Sequence, residues 1–207
     1  MRQPQQTTKH IMDINDIEKN YARMSDRELI NIATTRGEGL KPGVIEIIEK
    51  EIAKRNLNPD LLAGIIAQNK TYTSEEIEQY AQLLSNLPCP VCDSNQQKLN
   101  GTVAHTVKSF LIFTTSERKP TIACPDCLDQ VNDKAAWSTA LLGWWGFPWG
   151  LLKTPVYIYR NFKAKKENRL DLSNRTLLSY TLANIGEVEA FKNNPDKLLE
   201  VIKAKSA

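Results

Sequence analysis

Four cysteines constrain this chain more than any other feature. They form two pairs, Cys89-Pro90-Val91-Cys92 and Cys124-Pro125-Asp126-Cys127, and the chain has no fifth. Two cysteines separated by two residues can curl round one metal ion, and a second such pair completes a tetrahedron of thiolates. The 31 residues between Cys92 and Cys124 leave room for a small antiparallel sheet whose ends bring the pairs together. The expectation is one structural Zn2+ held by Cys89, Cys92, Cys124 and Cys127 in a zinc ribbon. Two other readings stand beside it. Thiol–disulfide exchange also uses Cys-x-x-Cys, usually as one motif that opens a helix after a strand. Two structural disulfides would need an oxidising compartment. His105 is expected to be a half-buried strand residue, because four cysteines already fill the shell.

The 31-residue gap is rich in Thr, Val, Phe and Ile. Val103, His105 and Val107 alternate, as do Phe110 with Ile112 and Leu111 with Phe113. These are strand signals. Asn100-Gly101 and the stretch 116–120 read as turns, which predicts three antiparallel strands.

Upstream, residues 13–87 read as a helical region after a disordered lead-in over 1–12. Ser25-Asp26-Arg27-Glu28 and Thr73-Ser74-Glu75-Glu76 have the spacing of capping boxes. Pro42 suits the first turn of a helix whose Val44, Ile45, Ile48 and Ile52 form an apolar stripe. Asn58-Pro59 opens another helix, and Pro88 closes the last one just before Cys89. The N-terminus, with His10, is polar and lacks the apolar core of a secretory signal, so a cytosolic start is expected.

All four tryptophans lie within thirteen residues, at Trp137, Trp144, Trp145 and Trp149. They sit in an uncharged stretch from Ala135 to Leu152, eighteen residues long. That is the lower limit for a membrane-crossing helix, and Gly143, Gly146, Pro148 and Gly150 interrupt it. Tryptophan prefers the interface between headgroups and hydrocarbon. A hairpin is therefore expected, entering over 137–145, turning at Gly146-Phe147-Pro148 and returning over 149–159. The next stretch, 153–169, carries Lys153, Arg160, Lys163, Lys165, Lys166 and Arg169 against Glu167 alone. Anionic headgroups would attract it, and the positive-inside tendency would keep it on the same side as the metal site. The membrane-interface residues expected are Trp137, Trp144, Trp145, Trp149, Lys153, Arg160 and Lys163. The competing reading is a buried core element, consistent with a mean hydropathy of −0.41.

The run Gly143-Trp144-Trp145-Gly146-Phe147-Pro148-Trp149-Gly150, with Thr154-Pro155 and Asn161, resembles a motif of poorly characterised bacterial-type zinc-ribbon proteins. In those, a zinc-ribbon or similar head precedes a membrane-associated segment. Residues 25–57 are similar to small helical modules common in bacterial proteins. The resemblance implies a membrane-associated zinc protein and brings no activity with it.

Taken together, an α+β chain is expected. Its parts are the helical region 13–87, a zinc ribbon over 88–130, the Trp-rich apolar hairpin over 131–160, and a basic linker with C-terminal helices over 161–207. A helix over 171–184 should stop at Gly186, and Asn194-Pro195-Asp196 should open the last helix. No phosphate loop, metal-hydrolase motif or spare cysteine is present, so an enzyme is not expected. The favoured role is a non-catalytic adaptor at the cytoplasmic face of a membrane. Lipid and an unidentified protein are the expected partners, with no small-molecule substrate. The alternative is a soluble zinc-ribbon protein that binds nucleic acid or a protein complex. The charge over 88–152 is evenly balanced, which lends nucleic acid little support.

Overall fold

The computed structural model describes residues 14–110 and 113–206. The expected lead-in over 1–12, and Leu111 and Ile112, lie outside the described residues. The architecture is α+β, with ten helices and one two-stranded antiparallel sheet among those residues.

Five helices come first: α1 (Ile14–Arg23), α2 (Asp26–Thr35), α3 (Pro42–Lys54), α4 (Asp60–Gln68) and α5 (Ser74–Ser85). Both capping boxes form. Ser25 Oγ accepts from the Glu28 amide while Glu28 accepts from the Ser25 amide, and Thr73 and Glu76 repeat the exchange. Such caps satisfy helix-end amides that would otherwise lack partners. Arg55, just past α3, donates to the Tyr21 and Met24 carbonyls at 3.0 and 2.6 Å and so ties down the end of α1. The apolar stripes of α2, α3 and α4 meet in one core of Leu29, Ala33, Ile48, Ile52, Leu61 and Ile65.

The sheet follows as β1 (Asn100–Phe110) and β2 (Phe113–Ala123), paired from Asn100↔Ala123 to Phe110↔Phe113. The three-strand expectation is thus corrected to two long strands. Residues 116–120, expected as a turn, lie in the middle of β2, where Pro120 faces Val103. Their polar composition reflects an exposed strand, since 115–120 are all exposed. Pro120 is tolerated because β2 is an edge strand and the missing N–H points away from β1.

Two long helices cover the sheet, α6 (Pro125–Leu142) and α7 (Trp149–Asn168). They form a helical hairpin that turns over 143–148, earlier than the expected turn at 146–148, and its first arm begins at Pro125, inside the stretch expected as zinc ribbon. The basic stretch, read as a linker from residue 161, is instead the second half of α7. Lys165 pairs with Asp133 at 3.0 Å, and Arg169 pairs with Asp126 and Asp129 at 2.9 and 2.8 Å, strapping α7 to α6.

The chain ends in α8 (Arg175–Ala183), α9 (Ile185–Phe191) and α10 (Pro195–Ser206). Gly186 does not stop a helix; it lies inside α9. A Cβ at Gly64 of α4 would stand 2.7 Å from the Gly186 carbonyl oxygen, so Gly64 lets α4 touch the backbone of α9, while a Cβ at Gly186 would collide with the Thr34 carbonyl of α2. Through α9 the N-terminal core joins a second one, in which Leu84, Leu99, Ile122, Leu128, Leu177, Val188 and Ile202 pack round the cysteines.

Candidate metal centre and the hairpin beside it

Cys89 follows α5 after Leu87-Pro88. Its amide donates to the Ser94 carbonyl at 3.0 Å, and the Asp93 amide donates back to the Cys89 carbonyl at 2.9 Å. Asp93 takes a left-handed backbone (φ 55°), which an Asp tolerates better than most residues, and the loop closes on itself. The second pair arrives differently. Cys124 ends the run from β2 and is the N-cap of α6, and Cys127 lies in that helix's first turn. One pair therefore sits in a turn and the other at a helix start, with the hairpin β1–β2 bridging them.

The four sulfurs lie within 4.8 Å of one another, and Cys92 Sγ stands 3.7 Å from Cys124 Sγ. The edge of a Zn–thiolate tetrahedron is about 3.8 Å, given Zn–S bonds near 2.3 Å. No disulfide joins any two of the four cysteines. Cys89, Cys124 and Cys127 are buried in the second core, while Cys92 is exposed. The set can hold one metal ion.

Charge explains why a cation suits it. Burial works to raise the Cys89 thiol, but the amides of Cys124, Val91 and Cys92 outweigh it and bring the pKa down to about 7. The Cys124 amide reaches Cys89 Sγ at 3.4 Å. Burial pushes Cys124 up, and it pushes Cys127 up further, helped by the neighbouring sulfurs of Cys124 and Cys92. One thiolate is favoured, and Cys124 and Cys127 resist adding charge beside it. A divalent ion reverses that balance, so that binding expels the protons. His105 takes no part; it lies in β1 with its ring 5.1 Å from that of Tyr157.

The tryptophan residues are placed on the outer surface of the hairpin. Trp137, Trp144, Trp145 and Trp149 are all exposed, Trp145 to 71%. Leu141, Leu142, Leu151, Leu152, Val156 and Phe162 are exposed with them, as is Phe147 at 79%. The inner surface is polar. Asn132, Thr139, Thr154, Asn161 and Asn168 are buried to 1% or less exposure. They recur every seven residues on each helix, 132 and 139 on α6 and 154, 161 and 168 on α7, which keeps them on one face. The hairpin is thus turned inside out relative to a helix pair in water.

The buried amides work on β1. Asn161 accepts from the His105 amide at 2.9 Å and donates to its carbonyl at 2.7 Å. Asn174 does the same for Gly101 at 3.3 and 2.6 Å. Thr139 Oγ1 accepts from the Val107 amide at 3.1 Å. Side chains thereby stand in for a third strand along the free edge of β1, which would otherwise expose unpaired groups.

Sequence reasoning missed these polar residues, although their seven-residue spacing was visible. It also missed the sheet tip, where Phe110 and Phe113 are each 73% exposed. The tip joins the apolar surface at Gly146, whose missing Cβ makes room for Ser109 and Thr114. Of the bases expected at an interface, Lys153, Arg160 and Lys163 have no ion-pair partner among the described residues. Among those residues no helix is long and apolar enough to cross a membrane. No protein-family profile matches this chain, and neither does any curated protein or solved structure.

Proposed function

We propose that this protein is a non-catalytic adaptor, held at the cytoplasmic face of a membrane by its Trp-rich hairpin and the neighbouring sheet tip. One observation carries the reading: the hairpin buries a row of Asn and Thr side chains and exposes its four tryptophans and most of its leucines. Water penalises that arrangement, and a bilayer rewards it. The hairpin would dip its turn into the interface without crossing. Trp144, Trp145 and Trp149 would sit at headgroup depth, and Lys153 and Arg160 would meet anionic lipid. The metal is proposed to be one structural Zn2+, on the strength of four thiolates at tetrahedral spacing. Such a shell has no open position for substrate, and this supports a role in binding over one in catalysis. The exposed helices α1 to α3 offer a surface for a protein partner.

Fractionation tests the anchor. Under the proposal the full chain stays with membranes through a carbonate wash, and full recovery in the soluble fraction would overturn it. A redox reading has one observation in its favour, because Cys124-Pro125-Asp126-Cys127 opens α6 directly after β2. Metal analysis separates the two. About one zinc per chain with four protected thiols is expected, whereas metal-free protein with oxidised cysteines would favour thiol exchange.

A further inference from the structure

The side-chain ladder along β1 has a gap. Gly101, His105 and Val107 present their amides away from β2, where Asn174, Asn161 and Thr139 meet them. Strand alternation points the Val103 N–H and C=O the same way. No group among the described residues bonds to them. A cavity of about 240 Å³ lies at this point, lined by Val103, His105, Arg160, Lys163, Asn168 and Thr176 among others.

The lining carries unused capacity of both kinds. Arg160 lies over the Tyr157 ring at 5.6 Å, and neither it nor Lys163 has an acidic partner among the described residues. Lys165 and Arg169 on the same helix, by contrast, are taken by Asp133, Asp126 and Asp129. Thr176 adds a hydroxyl in the first turn of α8, at the positive end of its dipole. These are donors for an anion. The acceptors are the Val103 carbonyl and the Glu167 carboxylate. Asn168 Oδ1 and His105 Nδ1 also lack partners, but both atoms are closed off from the open space of the cavity.

We infer that this cavity binds a phosphorylated polyol, with the phosphate on Arg160, Lys163 and the Val103 amide and the hydroxyls donating to the Val103 carbonyl and the Glu167 carboxylate. A bare anion would leave the acceptors unpaired, and a neutral polyol would leave the cations unpaired. The ligand is either a free phosphorylated polyol or the glycerol-phosphate headgroup of an anionic lipid. The site itself does not require the hairpin to enter a bilayer.

The test is titration of the metal-loaded full chain with sn-glycerol 3-phosphate, inorganic phosphate and glycerol, followed by amide NMR and calorimetry. Glycerol 3-phosphate should bind saturably, shift the Val103 and Thr176 amides, and bind more tightly than inorganic phosphate. R160Q/K163Q should weaken it by about tenfold or more, as loss of charge-assisted bonds does. Both side chains are exposed, so this variant keeps its fold, and K166Q on the same helix serves as the control. No saturable shift at Val103, or equal affinity in the double variant and the control, would overturn the site. Equal affinity for inorganic phosphate would overturn the polyol. Vesicles of phosphatidylcholine with phosphatidylglycerol identify the source. Competition by glycerol 3-phosphate assigns the lipid headgroup, and saturable binding without competition assigns a free ligand. W145S/F147S should abolish vesicle binding and leave the titration intact, which keeps the anchor and the cavity separable.

Discussion

At the residue scale, two kinds of side chain hold the molecule together, and both fail by leaving a partner uncompensated. Replacing Cys127 with Ser removes one proposed ligand and leaves three cysteines, two of them buried, round an incomplete shell. Metal content should fall well below one per chain. A strong chelator should lower the melting temperature of the native chain by about 10 °C or more, because a structural site contributes several kcal/mol to folding. Calorimetry with metal analysis checks both. Asn161 is the second kind. Asn161→Ala strips the His105 amide of its partner and leaves the His105 carbonyl only the longer bond from Thr139 Oγ1. A loss of about 2–4 kcal/mol is expected in denaturant unfolding, against almost nothing for the exposed Lys166→Ala. The cysteines were legible as one cluster able to hold a metal because chemistry and spacing are local properties. Asn161 was not, because its partner lies 56 positions away in β1.

At the element scale, sequence signals worked where a helix begins and failed where elements approach one another. Ser25, Pro42, Pro59 and Thr73 mark helix starts through their own backbone and side-chain chemistry, and the structure has helices there. Thr73→Ala should cost about 1 kcal/mol by thermal unfolding, since it removes the cap of α5. Gly186 carries the opposite lesson. Its propensity reads as a stop, but its use is a close approach between α9 and the Thr34 carbonyl of α2. Gly186→Val should destabilise by about 1–3 kcal/mol, more than an exposed glycine-to-valine change in a helix would, because the packed backbones must separate. The strands show the same limit. Polar residues in β2 resembled a turn because nothing local distinguishes a turn from an exposed edge strand.

At the scale of the whole molecule, the metal centre and the apolar surface are joined by one continuous element. Helix α6 begins at Cys124 and ends beside the turn that carries Trp144 and Trp145. A loosened metal site should therefore reach the hairpin. Vesicles of phosphatidylcholine with phosphatidylglycerol should shift the tryptophan fluorescence of the native chain to the blue. The shift should weaken with added salt without vanishing, because the basic residues contribute about 1 kcal/mol each near an anionic surface while apolar burial is unaffected. W145S/F147S should remove most of it. An unchanged spectrum for the native chain would count directly against the anchor.

The sequence by itself determined the two cysteine pairs that come together, the helix starts, the strand-forming stretch between those pairs and the grouping of the tryptophans. Each is encoded by neighbouring residues, and neighbours interact before the chain folds. Only the tertiary structure decided that the tryptophans face outward, that asparagines complete the edge of β1, and that a gap is left at Val103. These depend on which faces meet, and that is settled by packing among residues far apart in the chain.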